Sequence, residues 1–152
     1  MPPIVIGVGT RLGRDDAVGL LLVERLVEEG TVDTADALFL DGADAATVAA
    51  HLFELRRPVV IVDCADMGLP AGTFRAFDES AARLTLRVDA TSTHGLGLPE
   101  GLALARALGF GEAVRVFAVQ PFDLSPGMGL SPEMAALMPR LVEALKADLA
   151  VE

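Results

Sequence analysis

The chain has 152 residues, 52% of them hydrophobic, and a formal net charge of −10. This length predicts one domain, residues 1–152, with a proper hydrophobic core. The acidic balance argues against a nucleic-acid-binding surface, which needs clustered Lys and Arg, and equally against binding to an anionic membrane surface.

The sequence carries no sign of export or membrane insertion. No apolar run approaches the roughly 20 residues that a membrane span requires. The N-terminus has no basic region of the kind that begins a signal peptide. The single cysteine excludes an internal disulfide and fits a reducing compartment. We therefore expect a cytoplasmic location.

The first conspicuous stretch is Ile4–Gly19, an apolar strand followed by a glycine-rich corner and two acids, Asp15 and Asp16. Its glycines approximate the dinucleotide fingerprint G-x-G-x-x-G, but the third glycine comes one residue late. A pyrophosphate also needs the positive end of the following helix, where both acids would repel it. The sequence therefore argues against a dinucleotide site, although the glycines leave room for a close approach to the backbone.

Apolar strands alternate with amphipathic helices along the rest of the chain. This alternation predicts a single-domain three-layer α/β/α fold with a mostly parallel twisted sheet, as in phosphorylase- or hydrolase-like folds. Alternating apolar and polar residues over Gly72–Val88 predict a hairpin at the sheet edge. The predicted strands are Ile4–Ile6, Ala37–Leu40, Pro58–Val62 and Val114–Val119, and the predicted helices are Asp16–Gly30, Asp44–Leu55, Pro99–Leu108 and a last one capped by Ser131.

Three loops that leave the carboxyl edge of this sheet carry chemically useful residues. Asp15 and Asp16 follow the first strand, Asp63 follows the third, and His94 lies on a small polar loop. Ligands of open α/β sheets usually bind at this edge. Two carboxylates and an imidazole suit Zn²⁺, Ni²⁺ or Mn²⁺ with positions left open. The alternatives are that the paired acids only complement the helix dipole and that His94 is merely solvated.

Cys64 follows directly after Asp63 and invites comparison with a thiol nucleophile. Nothing nearby in the sequence would lower the pKa of this thiol, so we interpret Cys64 as a packing residue.

Taken in order, these motifs resemble the hydrogenase maturation endopeptidases over nearly the whole chain. Members of that family begin with a strand, G-x-G-N, a short loop and then D-D or D-E, a small residue and G. Later they have a strand ending in D-G, a buried strand ending in a metal-binding Asp, a His on a polar loop, a Q-P pair and G-L-S-P-E. The matching residues here are Gly7–Thr10, Asp15–Gly19, Asp41-Gly42, Asp63, His94, Gln120-Pro121 and Gly129–Glu133.

The resemblance implies an aspartic-type endopeptidase that removes the C-terminal peptide of a nickel-containing hydrogenase large-subunit precursor. Asp16, Asp63 and His94 would be its catalytic and metal-contacting residues, and Asp41 and Gly42 would bind substrate. The nickel would be carried by the precursor, and Zn or Cd could occupy the site in vitro. The expected partner is this nickel-loaded precursor. The protein itself is expected to be a monomer or a weak homodimer.

Two departures from the family pattern are visible. Thr10 replaces the usual Asn after the second glycine, which alters loop hydrogen bonding. The sequence after His94 is Gly-Leu-Gly, unlike the H-x-x-S loops of better-known members, which leaves the processed hydrogenase open.

Two other functions remain open. The chain could be a binding module or chaperone that docks on a metal-loaded precursor without cutting it, through an exposed apolar Phe122–Leu130 loop. It could also be a self-contained metallohydrolase with its own metal ion.

Overall fold

The computed structural model of the chain describes residues 1–81 and 97–151. Their strands form one five-stranded sheet in the order β2-β1-β3-β5-β4. The first four strands in this order run parallel to one another, and β4 pairs antiparallel with β5 at the edge. The strands are β1 (Ile4–Gly9), β2 (Ala37–Asp41), β3 (Val59–Cys64), β4 (Phe74–Asp78) and β5 (Val114–Val119).

Helices cover both faces of the sheet and make the predicted three layers. The helices are α1 (Val18–Glu28), α2 (Ala45–Phe53), α3 (Leu98–Ala107) and α4 (Pro132–Ala150). Helices α2 and α3 pack on one face, where Ile6, Ile61 and Val116 point. Helices α1 and α4 pack on the other, against Val5, Val60 and Phe117. Because β1, β3 and β5 are buried on both faces, they are continuously apolar rather than alternating.

Local capping agrees with the sequence. The Asp44 carboxylate accepts a hydrogen bond from the Thr47 N–H at 2.8 Å at the start of α2. The Ser131 hydroxyl caps α4 in the same way, accepting from the Met134 N–H. Gly30 follows α1 with a left-handed φ of 79°, as expected for a glycine just beyond a helix C-terminus.

The first helix begins later than predicted. Arg14–Ala17 form a 3-10 turn, and α1 starts only at Val18, so the prediction that Asp16 opens the helix was wrong. The physical reason is that the N–H of Asp15 bonds to the Asp123 carbonyl of a distant loop, which holds this turn apart from the helix.

The predicted edge hairpin is described only in its first half, β4, whose described partner is β5. The second half, residues 84–88, lies outside the described residues. No helix in the described part of the chain is long and apolar enough to cross a membrane.

Candidate active site

The carboxyl edge of the sheet gathers the loops that carry the candidate residues. Strand β1 lies between β2 and β3, and Gly9 at its end is in register with Asp41 at the end of β2. Asp63 is the second-last residue of β3 and pairs with Ala118 of β5. The corner between β1 and α1, residues 10–17, carries Asp16 and therefore lies between the carboxyl ends of β2 and β3, near Asp41 and Asp63.

The glycines on either side of the corner allow close packing of backbone against backbone, and they do not open space for a ligand. A Cβ on Gly9 would overlap the Asp16 carbonyl oxygen, and one on Gly7 would lie 2.9 Å from the Gly19 oxygen. A Cβ on Gly19 would overlap the Val62 carbonyl oxygen at the end of β3. This close packing places the backbone of Asp16 against the end of β1 and the start of α1 against Val62 of β3.

Asp16 and Asp63 are brought together, and their charges interact. Burial raises the pKa of Asp63 well above its ordinary value, and the negative charge of Asp16 raises it further. The Cys64 N–H, which donates to Asp63 Oδ1 at 2.8 Å, acts in the opposite direction. One carboxyl group of the pair thus binds a proton more tightly than an ordinary aspartate does.

Asp15 has a different role from its neighbour. Its side chain is completely buried, and its two oxygens accept hydrogen bonds from backbone N–H groups of Phe122, Asp123 and Ser131 and from the Ser131 hydroxyl. Sequence analysis paired Asp15 with Asp16 but did not foresee this role. The signal that could have suggested it is the polar Ser131 placed beyond a loop rich in glycine and proline.

Asp41 and Gly42 lie at the same edge, beside the corner. The Asp41 carboxylate accepts a hydrogen bond from the Arg11 N–H at 3.2 Å and forms an ion pair with its guanidinium at 3.5 Å. The Gly42 N–H donates to the Gly9 carbonyl at 2.7 Å. Space is open where a Gly42 side chain would stand. Both residues are exposed, and their role in substrate binding stays a prediction.

Gln120, directly after β5, is a further buried polar residue at this edge. Its amide oxygen accepts from the Met67 N–H at 2.7 Å, and its amide nitrogen donates to Asp66 Oδ1 at 3.2 Å. Gln120 therefore fixes the loop that follows Asp63. The sequence signalled it only as a polar residue ending an apolar strand, within the Q-P pair.

Cys64 is packed as expected. Burial raises the pKa of its thiol well above the ordinary value, and the nearby charges of Asp63, Asp16 and Asp15 raise it further. A thiolate nucleophile is therefore disfavoured at this position.

His94 lies outside the described residues, so its position relative to the acids stays a prediction. Within residues 1–81 and 97–151, no group of three His, Cys, Asp or Glu side chains is arranged to hold a metal ion. The described part of the predicted metal-contacting set is thus the carboxylate pair of Asp16 and Asp63.

A partly apolar loop is hydrogen-bonded to the corner that carries Asp15 and Asp16. Residues 121–131 form this loop, in which Leu124 is 51% and Met128 68% exposed, and Leu12 of the corner is 67% exposed. Asp123 makes a local turn by accepting from the Ser125 N–H and hydroxyl. Of the apolar side chains in the predicted docking loop, Phe122, Leu124 and Met128 are exposed, whereas Leu130 packs against the core.

The sequence pattern of the HycI family, described as hydrogenase maturation protease, matches residues 20–147. The chain therefore belongs to the hydrogenase maturation protease family.

Individual relatives agree with this assignment. The hydrogenase maturating endopeptidase HybD from E. coli superimposes with a TM-score of 0.75 at 26% identity, over 98% of this chain and 92% of HybD. The [NiFe] hydrogenase maturation protease HycI from Thermococcus kodakarensis gives a TM-score of 0.68 at 27% identity, over 97% and 92%. The hydrogenase expression/formation protein HupD of Rhodobacter capsulatus is 25% identical over 134 residues, which are 87% of this chain and 63% of HupD.

Proposed function

We propose that this chain is an endopeptidase that removes the C-terminal peptide from a nickel-containing hydrogenase large-subunit precursor. The observation that carries the proposal is the convergence of Asp16 and Asp63 at the carboxyl edge of the sheet in a member of this family. That edge is where open α/β sheets bind their ligands.

Nickel enters the proposal as part of the substrate. Two carboxylates offer hard oxygen donors, and an imidazole adds the borderline nitrogen that nickel accepts. The chain has two histidines, and His51 lies near the end of α2, which runs away from this edge. His94 is therefore the histidine that we propose as the third contact, and a divalent ion such as Zn²⁺ or Cd²⁺ could take the same donors in vitro.

The chemistry expected of this chain is acid–base catalysis by the two carboxyl groups. Burial raises the pKa of Asp63, and the negative charge of Asp16 raises it further. Such a pair can hold a proton on one carboxyl group while the other orients or deprotonates the attacking water. A bound metal would add Lewis-acid polarisation of the scissile carbonyl.

The substrate is expected to approach over the exposed residues of the same edge. Asp41 and Gly42 flank the acid pair on one side, and the exposed Leu124 and Met128 lie on the loop bonded to the corner. Exposed apolar side chains beside a polar site suit a protein substrate. The same loop also supports the second candidate function, a binding module that docks on the precursor without cutting it.

The experiment that tests the proposal follows the intact mass of a large-subunit precursor mixed with the protein. We expect loss of a C-terminal peptide from the nickel-loaded form and no change in the nickel-free form. Complex formation without loss of mass would favour the binding module. Cleavage of both forms by protein that co-purifies with stoichiometric metal would favour a self-contained metallohydrolase.

A further inference from the structure

The buried carboxylate of Asp15 ties the corner before α1 to both ends of the 121–131 loop. Asp15 Oδ2 accepts from the Phe122 and Asp123 N–H groups at 2.9 and 3.0 Å and from the Ser131 hydroxyl at 2.9 Å. Asp15 Oδ1 accepts from the Ser131 N–H at 2.8 Å. All four donors are uncharged, so the loop forms a cradle of fixed dipoles around one carboxylate.

Backbone hydrogen bonds complete this connection. The Gly127 N–H donates to the Leu12 carbonyl at 2.8 Å, and the Arg14 N–H donates to the Gly127 carbonyl at 3.1 Å. The Asp15 N–H donates to the Asp123 carbonyl at 3.1 Å. A Cβ on Gly127 would come within 2.7 Å of the Arg14 guanidinium, so the two segments are in direct contact.

The backbone of Asp16 belongs to the corner that this connection holds. Its N–H donates to the Gly13 carbonyl at 3.0 Å, and its carbonyl accepts from the Thr10 N–H at 3.2 Å. These bonds make the corner a unit, and the adjacent Asp15 attaches that unit to the loop and α4. Displacing a catalytic group by about 1 Å can cost on the order of 10²-fold in rate.

We infer that Asp15 is a positioning residue, which acts on precursor cleavage through Asp16 by locking the corner to the 121–131 loop. The inference rests on the proposed function. It assigns the two adjacent acids separate roles: Asp16 takes part in the proposed reaction, and Asp15 fixes the position of Asp16.

The test compares steady-state cleavage of the nickel-loaded precursor by wild type, Asp15→Asn, Ser131→Ala and the double variant. Asp15→Asn keeps the side-chain shape but turns an amide NH₂ toward backbone donors. We expect kcat to fall by about 10²-fold with KM little changed. Ser131→Ala, which removes one of the four donors, should have a smaller effect. The double variant should resemble Asp15→Asn, because both changes act on the same connection.

A matched control is Asp36→Asn. Asp36 is a partly buried aspartate that pairs with Arg57 at 2.8 Å, just before β2 and hence at the opposite edge of the sheet. All variants are assayed at a temperature where circular dichroism shows them folded. If Asp36→Asn lowers kcat as much as Asp15→Asn does, the effect is one of general stability and the inference is overturned. A rise in KM with unchanged kcat also overturns it.

Amide hydrogen exchange provides a readout that does not need cleavage. Asp15→Asn should speed exchange at the Asp16 and Phe122 amides while β3 stays protected. Unchanged exchange in the corner, or faster exchange throughout the protein, contradicts the inference. Failure of the wild type to cleave would instead count against the proposed function, so the two failures are distinguishable.

Discussion

The carboxylate of Asp15 accepts hydrogen bonds from both the N–H and the hydroxyl of Ser131, at 2.8 and 2.9 Å, across 116 positions of the chain. Ser131 also caps α4, so a single serine joins the last helix to the corner between β1 and α1. The neighbouring Asp16 is only partly buried and influences Asp63. Two consecutive aspartates therefore have different roles: Asp15 links the corner to α4, and Asp16 interacts with Asp63.

Replacing Asp15 by Ala should strongly destabilise the fold. The substitution leaves buried backbone donors without an acceptor, and each such group costs about 1–3 kcal/mol. We expect the free energy of unfolding to fall by about 3 kcal/mol, measured by urea denaturation. Asp36→Ala, which breaks a peripheral ion pair, should cost about 1 kcal/mol or less. Equal losses for the two variants would contradict the role assigned to Asp15.

Asp63 should give the metal-free protein a recognisable pH dependence. Because its folded pKa lies above the unfolded value, its contribution to stability is fully present below the unfolded pKa and is lost as pH rises through the folded pKa. Asp63→Asn removes this loss. We therefore expect the stability of Asp63→Asn relative to wild type to increase with pH above the ordinary aspartate range, measured by urea denaturation in pH steps. A pH-independent difference would show that Asp63 titrates normally.

The close contact of α1 with the strand ends predicts that Gly19→Ala is harmful. The added Cβ would overlap the Val62 carbonyl oxygen and lie 2.7 Å from that of Val8, and neither backbone atom can move freely. We expect a loss of about 1–3 kcal/mol in thermal or urea unfolding, together with weaker cleavage. Gly111→Ala is the control, since space there is open. If both variants behave like wild type, the packing described for the corner is wrong.

Cys64 should be dispensable for the chemistry. Its thiol is buried and its pKa is raised, so iodoacetamide should label it in the unfolded protein but not in the folded one. Cys64→Ala should cleave the precursor at a rate close to wild type once its folding is verified. Loss of cleavage in a folded Cys64→Ala protein would point to a thiol mechanism instead.

Much of the fold follows from the sequence because its signals are local. Apolar runs marked β1, β3 and β5, and Asp44 and Ser131 marked helix starts that the structure confirms. Helix α1 begins at Val18 rather than Asp16 because a long-range bond, Asp15 N–H to Asp123, competes with the local preference for an acid at a helix start.

The candidate site was predictable to a smaller extent. The rule that parallel strands present their carboxyl ends at one edge was enough to bring Asp16 and Asp63 together. The tasks of Asp15 and Gln120 depend on partners far along the chain, in residues 122–131 and 66–67, which no local pattern specifies. The part played by His94 stays a prediction of the sequence.

The measurement that tests the central claim most directly is the intact mass of a nickel-loaded precursor after incubation with wild type or with Asp16→Asn. The substitution keeps the size of a side chain at the proposed reacting position and removes its negative charge. We predict that wild type releases the C-terminal peptide and that Asp16→Asn, folded to the same degree, is at least about 10²-fold slower. Cleavage by Asp16→Asn at the wild-type rate would contradict the assignment of the active site to this edge of the sheet.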